Sequence, residues 1–323
     1  MDEFVLIAWS LDGQTRQQLN PKMLAWGGAW KDCSRYLRCT VPAASLCPLG
    51  GAVQLSKAGT VIFYGTIKSR TRSTAGQFID LVCYDRGFAL NQNSTFIKVR
   101  KQTPEDVTAQ LCRKYQIPVA RLAPARVRLS RNFFGASLYQ IIQTMYSLAA
   151  EQNGKKYQIR FEGQQLQVME KTIGPNSIRL TQGENLLECV AGDSIEDLIN
   201  SVAVYDEEAR RVAQYRSDPK NLEHYGLSET AIRVNDRENP AAQARELLEE
   251  HGIKTTISAT ALGNPKLVTG TAVVVHEPTA QVDGLFWIQR NKHQLSRGVY
   301  TTDLELEFRN LMDKQQAGSL PTK

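Results

Sequence analysis

The sequence predicts an α+β fold that is mainly β, and three observations predict it. Short runs of alternating apolar and polar residues recur toward both ends of the chain. Gly-marked turns separate those runs. Helical spacing dominates only in the middle. The clearest strand runs from Tyr300 to Arg309. Tyr300, Thr302, Leu304, Leu306 and Phe308 share one face, and Thr301, Asp303, Glu305, Glu307 and Arg309 share the other. Such a strand buries one side and wets the other.

The first block spans residues 2–92. Strands are expected at Phe4–Ser10, Tyr36–Val41, Val53–Lys57, Val61–Arg70 and Gln77–Tyr84. Gly50-Gly51, Ala58-Gly59 and Ala75-Gly76 lie between them as turns. This pattern fits a small sandwich or barrel. In the middle block, Thr103-Pro104-Glu105-Asp106 is a helix start, with a capping hydroxyl, proline in the first turn and acids at the positive helix end. A second helix runs from Ser137 to Gln152, with Leu138, Ile141, Ile142, Met145, Leu148 and Ala149 as its apolar stripe. Asn153-Gly154 stops it. Tyr157–Phe161 and Leu166–Glu170 read as a hairpin, which completes an α/β module of about seventy residues.

The third block begins near Thr172. Ser194-Ile195-Glu196-Asp197 reads as the cap of one helical turn. Strands follow at Ser201–Tyr205 and Arg211–Tyr215, and Asn239-Pro240 opens a helix that Gly252 closes. The last strands are Lys254–Ala259, Leu267–His276, Gly284–Asn291 and Tyr300–Arg309. Residues 313–323 form a polar tail expected to fray.

Composition narrows the function classes. Hydrophobic residues make up 42% of 323, enough to build cores, so disorder is not expected. No apolar run approaches the ~20 residues a membrane-spanning helix needs, and the acidic start Met1-Asp2-Glu3 is not that of a signal peptide. The expected setting is a cytosol, without membrane contact. Six cysteines without a CxxC pair argue against a disulfide framework or a zinc site. Net charge is uneven: +7 over residues 1–102, +5 over 103–171 and −6 over 172–323. Opposed surfaces, within one chain or between copies, are the reading preferred over a nucleic-acid face, because no aromatic-studded basic motif accompanies the charge.

No catalytic constellation is apparent. His224, His251, His276 and His293 have no metal-binding spacing. There is no GxSxG elbow and no Walker-type phosphate loop, and Gly27-Gly28 and Gly50-Gly51 lack the strand–turn–helix setting. Neither a catalytic residue nor a cofactor is expected. Asp303, Glu305 and Glu307 share a face, which reads as a wet surface and a candidate lumen or inter-subunit face together with Arg309.

The order of several short motifs resembles the baseplate hub proteins of contractile phage tails. Leu24-Ala25-Trp26-Gly27-Gly28 followed by Cys33-Ser34-Arg35-Tyr36-Leu37 resembles that family's opening. Gly50 to Leu55, Val61 to Ile67 with Gly65, and Tyr84-Asp85 continue the likeness. Ser194 to Val202 resembles its "S.EDLIN.V" element, and Gly284 to Leu306, with His293, resembles its close. The likeness is to the hub of the PBSX-type defective prophage, and more distantly to the late control protein D family and the hub part of type VI spike proteins. It implies two tail-tube-like β-barrels, at residues 1–98 and 172–312, with an α/β module at 99–171 between them and an inserted helix in the second. Trp26, Gly28, Arg35, Leu37, Gly65, Tyr84, Asp85 and His293 would be structural motif residues. It also implies a homotrimer, a pseudo-hexameric ring joining a six-fold tail tube to a three-fold spike. The partners would be the tube protein, the spike, and wedge and LysM-type tail proteins. Assembly would take place in a bacterial cytoplasm, ending in the baseplate of a virion or tail-like particle. A peptidoglycan-degrading tail enzyme and a carbohydrate- or DNA-binding β module are the alternatives.

Overall fold

The computed structural model describes residues 4–74, 76–174, 177–234 and 239–321. Ala75, half of one expected turn, lies outside them. Seven strands come first: β1 (Phe4–Trp9), β2 (Arg16–Leu19), β3 (Met23–Ala29), β4 (Tyr36–Pro42), β5 (Ala52–Lys57), β6 (Thr60–Arg72) and β7 (Phe78–Tyr84). The middle holds α1 (Gly87–Gln92), β8 (Ser94–Gln102), α2 (Pro104–Lys114), β9 (Val119–Leu122), β10 (Leu129–Ser137), α3 (Leu138–Asn153), β11 (Tyr157–Glu162) and β12 (Gln165–Glu170). Then come β13 (Ile178–Thr181), β14 (Leu186–Ser194), β15 (Ser201–Tyr205), β16 (Arg211–Arg216), α4 (Pro219–Tyr225), β17 (Glu229–Arg233), α5 (Pro240–Glu250), β18 (Lys254–Leu262), β19 (Ala272–Glu277), β20 (Val282–Ser296) and β21 (Val299–Glu307). The fold is mainly β, as expected.

The chain divides into two compact units, Val190–Ile257 and the remainder. One sheet follows the order β14-β18-β21-β20-β3-β4-β7-β6-β5-β1-β2, with β19 and β13 added beside β20; all of it but parts of β14 and β18 belongs to the larger unit. Its path is open, ending at β14 and β2. Leu6, Leu37, Leu55, Phe63, Ile67, Leu81 and Cys83 alternate inward along β1 and β4–β7 and close one core. A second core gathers α2, α3 and strands β9–β12 around Ile141, Met145, Tyr146, Phe161 and Val168.

The expected caps are present. Thr103 accepts a hydrogen bond from the Asp106 backbone N–H. Ser137 and Gln140 form a reciprocal capping box, and Gly154 ends α3 in the left-handed region at φ 70°. Helix α3 buries more than a stripe, because Gln143, Thr144 and Ser147 are covered too. What covers them is the C-terminal tail. Expected to fray, the tail is instead docked: Tyr139 Oη donates to Asp313 Oδ2 at 2.8 Å, and Arg131 holds the Ala317 and Gly318 carbonyls. Gln143 and Ser147 both donate to the Asp313 backbone carbonyl. Met312 and Asp313 are buried.

Three further expectations are corrected. The last strand ends at Glu307, leaving Phe308 and Arg309 beyond it. The strand expected from Leu267 begins at Ala272, because residues 267–271 turn, with the Thr271 N–H bonded to the Val268 carbonyl. Ser194 caps no helix. Its hydroxyl accepts from the Glu196 N–H, and the Leu198 N–H closes a single turn on Ile195.

The smaller unit is a three-stranded sheet, β16-β15-β17, with β15 and β17 parallel. Leu198, Val202, Ala203, Val204 and Ala244 supply its core. Asn200 is fully buried and ties three segments: its amide donates to the Gly226 carbonyl at 2.7 Å and its Oδ1 accepts from the Ser228 N–H at 2.8 Å. Val190–Ile257 carries 8 Lys+Arg against 14 Asp+Glu, the whole −6 of residues 172–323. The acidic excess thus belongs to this inserted unit. The strands that follow it are close to neutral and are not the acidic counterpart of a basic first block.

Candidate functional site

Three of the expected motif residues, Trp26, Gly28 and His293, lie where β3 meets β20. Strand β20 is 15 residues long, so one of its edges serves two partners: β19 along Val282–Trp287 and β3 along Arg290–Ser296. The β3 pairing is antiparallel over seven residue pairs, with His293 opposite Trp26 and Leu295 opposite Leu24. It joins the sheet of the first block to that of the last, edge to edge, inside one chain.

Sequence and packing make this join specific. A Cβ on Gly27 would lie 2.0 Å from the Asn291 carbonyl oxygen, so only glycine allows the two backbones to approach. Trp26 stacks on His293 at 5.0 Å and 14°, and on Tyr300 at 5.6 Å. His293 is 1% exposed. Its Nδ1 sits 3.0 Å from both Thr302 Oγ1 and Tyr300 Oη, while its Nε2 is buried without a hydrogen-bond partner among the described residues. Burial, aided by the Arg35 charge, pushes its pKa down to about 3, so the ring is neutral near pH 7.

The other motif residues lie on or beside β4, β6 and β7. Leu37 is buried between Trp26 on β3 and Cys83 on β7. Arg35 Nε pairs with Asp85 at 3.4 Å, and its Nη1 donates to the Ile62 carbonyl at 3.2 Å. Asp85 also accepts from the Gly87 N–H at 2.9 Å. Burial outweighs the Arg35 charge and raises the Asp85 carboxyl above its ordinary value. Gly65 lies against the Tyr84 carbonyl, 2.5 Å from where its Cβ would be. Tyr84 stacks on Phe88 at 4.8 Å. Thr269 Oγ1 lies 2.9 Å from the Gly28 carbonyl oxygen and 2.7 Å from Asn291 Oδ1, and its one proton is shared between these two acceptors.

The candidate lumen face is exposed at Glu305 and half-buried at Asp303 and Glu307, and it is not an unbalanced acidic row. Arg290 on β20 pairs with Glu305 at 3.2 Å, and Lys292 with Asp303 at 3.8 Å. Arg309 reaches back to Glu307 at 3.6 Å. These exposed pairs contribute about 0–1 kcal/mol each. Sequence reasoning missed Asn291, Thr269 and the role of Gly27. A glycine pair inside a β-rich run was the available signal, since it marks close backbone approach as often as a turn.

The profile of the YQBQ-like family matches residues 24–307. The phage-like element PBSX protein XkdQ of Bacillus subtilis (strain 168) is 21% identical over 271 residues, covering 81% of this chain and 83% of its own. Among solved structures, the 43 kDa tail protein of prophage MuSo2 from Shewanella oneidensis has the same fold at TM-score 0.73 and 13% identity, over 97% of this chain and 100% of that one. The tail protein from Neisseria meningitidis MC58 follows at TM-score 0.68 and 16% identity, over 94% and 96%. The matched span takes in β3 at one end and β20 and β21 at the other, and the chain belongs to the YQBQ-like family.

Proposed function

We propose that this protein is the baseplate hub of a contractile injection system, acting by shape and assembly rather than by catalysis. Three copies would form a pseudo-hexameric ring that joins a six-fold tail tube to a three-fold spike. Each copy would contribute two tube-like barrels, residues 1–98 and 172–312, with the module at 99–171 outside the ring. The observation that carries this reading is the β3–β20 seam. A subunit that mimics two neighbours of a tube must join its two halves edge to edge, and this one does so through a buried, glycine-dependent pairing. The sheet then leaves β14 and β2 as its open ends. An open end is normally protected against pairing. Here β14 presents Leu187 and Val190 to solvent, which suits continuation into another copy.

In this reading the outer face of β21, with Asp303, Glu305 and Glu307, lines the channel. Its acids are matched by Arg290 and Lys292, so the wall would be nearly neutral and would hold neither nucleic acid nor a basic chain tightly. Negative-stain imaging of the purified chain tests the proposal. The expected particle is a hollow ring of three copies, and Glu305→Trp should narrow or distort its centre while leaving the monomer folded. Compact particles without a central opening would refute it.

A further inference from the structure

A cavity of about 610 Å³ lies in the larger unit, bordered by the start of β4, by β11 and by residues 265–271. Its size suits a small organic ligand rather than a single ion. It has an uncommon feature. Along β11, Tyr157, Ile159 and Phe161 point into the helical core, so Gln158, Arg160 and Glu162 turn the other way, and all three line the cavity. Gln158 is engaged, donating to the Thr269 carbonyl at 3.2 Å. Arg160 is not. Its Nε is buried without an acceptor among the described residues, although the Glu162 charge acts on the group from two residues along the strand. A buried guanidinium N–H left without an acceptor is costly to keep, and the planar fork it belongs to matches a two-oxygen acid. The neighbouring Arg35 supplies no relief, being itself cationic and already committed to Asp85 and the Ile62 carbonyl.

The charge of the wall selects the ligand. Arg35, Arg160 and Lys266 face Asp32, Asp85 and Glu162 across it, so the wall carries both signs. That suits one carboxylate and disfavours a polyphosphate, which would bring several charges against three acids. Val61, Ile62, Ala29 and Val268 form the apolar part of the wall. We propose that this cavity is a binding site for a monocarboxylate with an apolar body, its acid group held by the Arg160 guanidinium. The donor of that acid is either a free organic acid or an acidic side chain of another protein chain. The chemistry at Arg160 is the same for both.

The test uses the full chain with 4-phenylbutyrate as probe and 4-phenylbutyramide as its uncharged control, both read by titration calorimetry. The acid should bind at least roughly tenfold more tightly than the amide, and Arg160→Gln should abolish that difference. Arg160→Lys should restore only part of it, because charge returns without the fork. Without ligand, Arg160→Gln should melt no lower than the native chain, since no internal partner is lost. If the probe binds and also lowers the solution mass of a self-associated sample, the natural acid belongs to another copy; if the mass is unchanged, it is a free acid. Equal binding of acid and amide, no binding of either, or an Arg160→Gln chain that melts lower would each overturn the proposal.

Discussion

The β3–β20 seam and the β14–β18 ribbon both pair strands distant in sequence, yet they are built differently. The seam is lined by Trp26, Leu24, His293 and Asn291, all buried, and its spacing is set by Gly27. The ribbon is mostly exposed along both strands. Its side-chain contacts are polar: Thr255 to Asp193 at 2.6 Å, Thr256 to the Gly192 carbonyl at 3.2 Å, and an ion pair of Lys254 with Asp197. Sheet hydrogen bonding is common to both. What separates them is desolvated packing, which makes the seam part of a core and leaves the ribbon a surface feature.

Glycine substitutions should break this contrast most sharply. Gly27→Val forces a side chain into the Asn291 carbonyl and should destabilise the chain by about 3 kcal/mol or more in urea unfolding. Gly192→Ala in the ribbon meets only Thr256 Oγ1, at 3.4 Å, and should stay within ~0.5 kcal/mol. Equal losses at the two positions would erase the distinction.

Mild acid, above the range where the ribbon's Asp197 takes up a proton, probes the seam through His293. His293 keeps its ring neutral in the folded chain down to about pH 3, whereas an unfolded chain takes up the proton near its ordinary value of 6.5. Between those limits the unfolded state binds more protons, so stability falls as pH falls from 6.5 toward 3. At pH 5 the loss is about 2 kcal/mol. His293→Phe should remove that part of the slope, measured by unfolding at pH 5 and pH 8. An unchanged slope would mean that the ring is not held dry.

Much of this fold was legible, and the reasons differ by element. Helix starts at Thr103, Ser137 and Asn239 were readable because a cap is local chemistry, decided within four residues. Strand β15 was readable from its unbroken apolar run. Strands β8 and β10 were not, because their pairing slips at two bulges and leaves Phe96 and Phe134 exposed, which destroys the alternation. The docked tail was invisible for another reason: beside the Asp313 carboxylate and the Met312 side chain, it is held through its own backbone carbonyls, which carry no side-chain signature. At the candidate site, local motifs were legible in the sequence. That Trp26 would stack on His293 was not, since pairing between distant strands leaves no local trace.

Hydrogen exchange sharpens the comparison more gently. Amides of β3 and β20 should exchange only through global unfolding, while those of the ribbon exchange through local opening at lower cost. Exchange of seam amides as fast as those of the ribbon would place the two joins on a par. Arg290→Gln should be the mildest change, costing under about 1 kcal/mol because its pair with Glu305 is exposed on both sides.

In the proposed ring, the edge-to-edge joining of two half-sheets within a chain is continued between chains. Native mass measurement of the full chain over a range of concentrations tests it most directly. The account predicts a species of three chain masses, favoured as concentration rises and weakened by charged substitutions at Leu187 and Val190 on β14. A chain that remains monomeric at the highest concentration, or that stops at two copies, would contradict it.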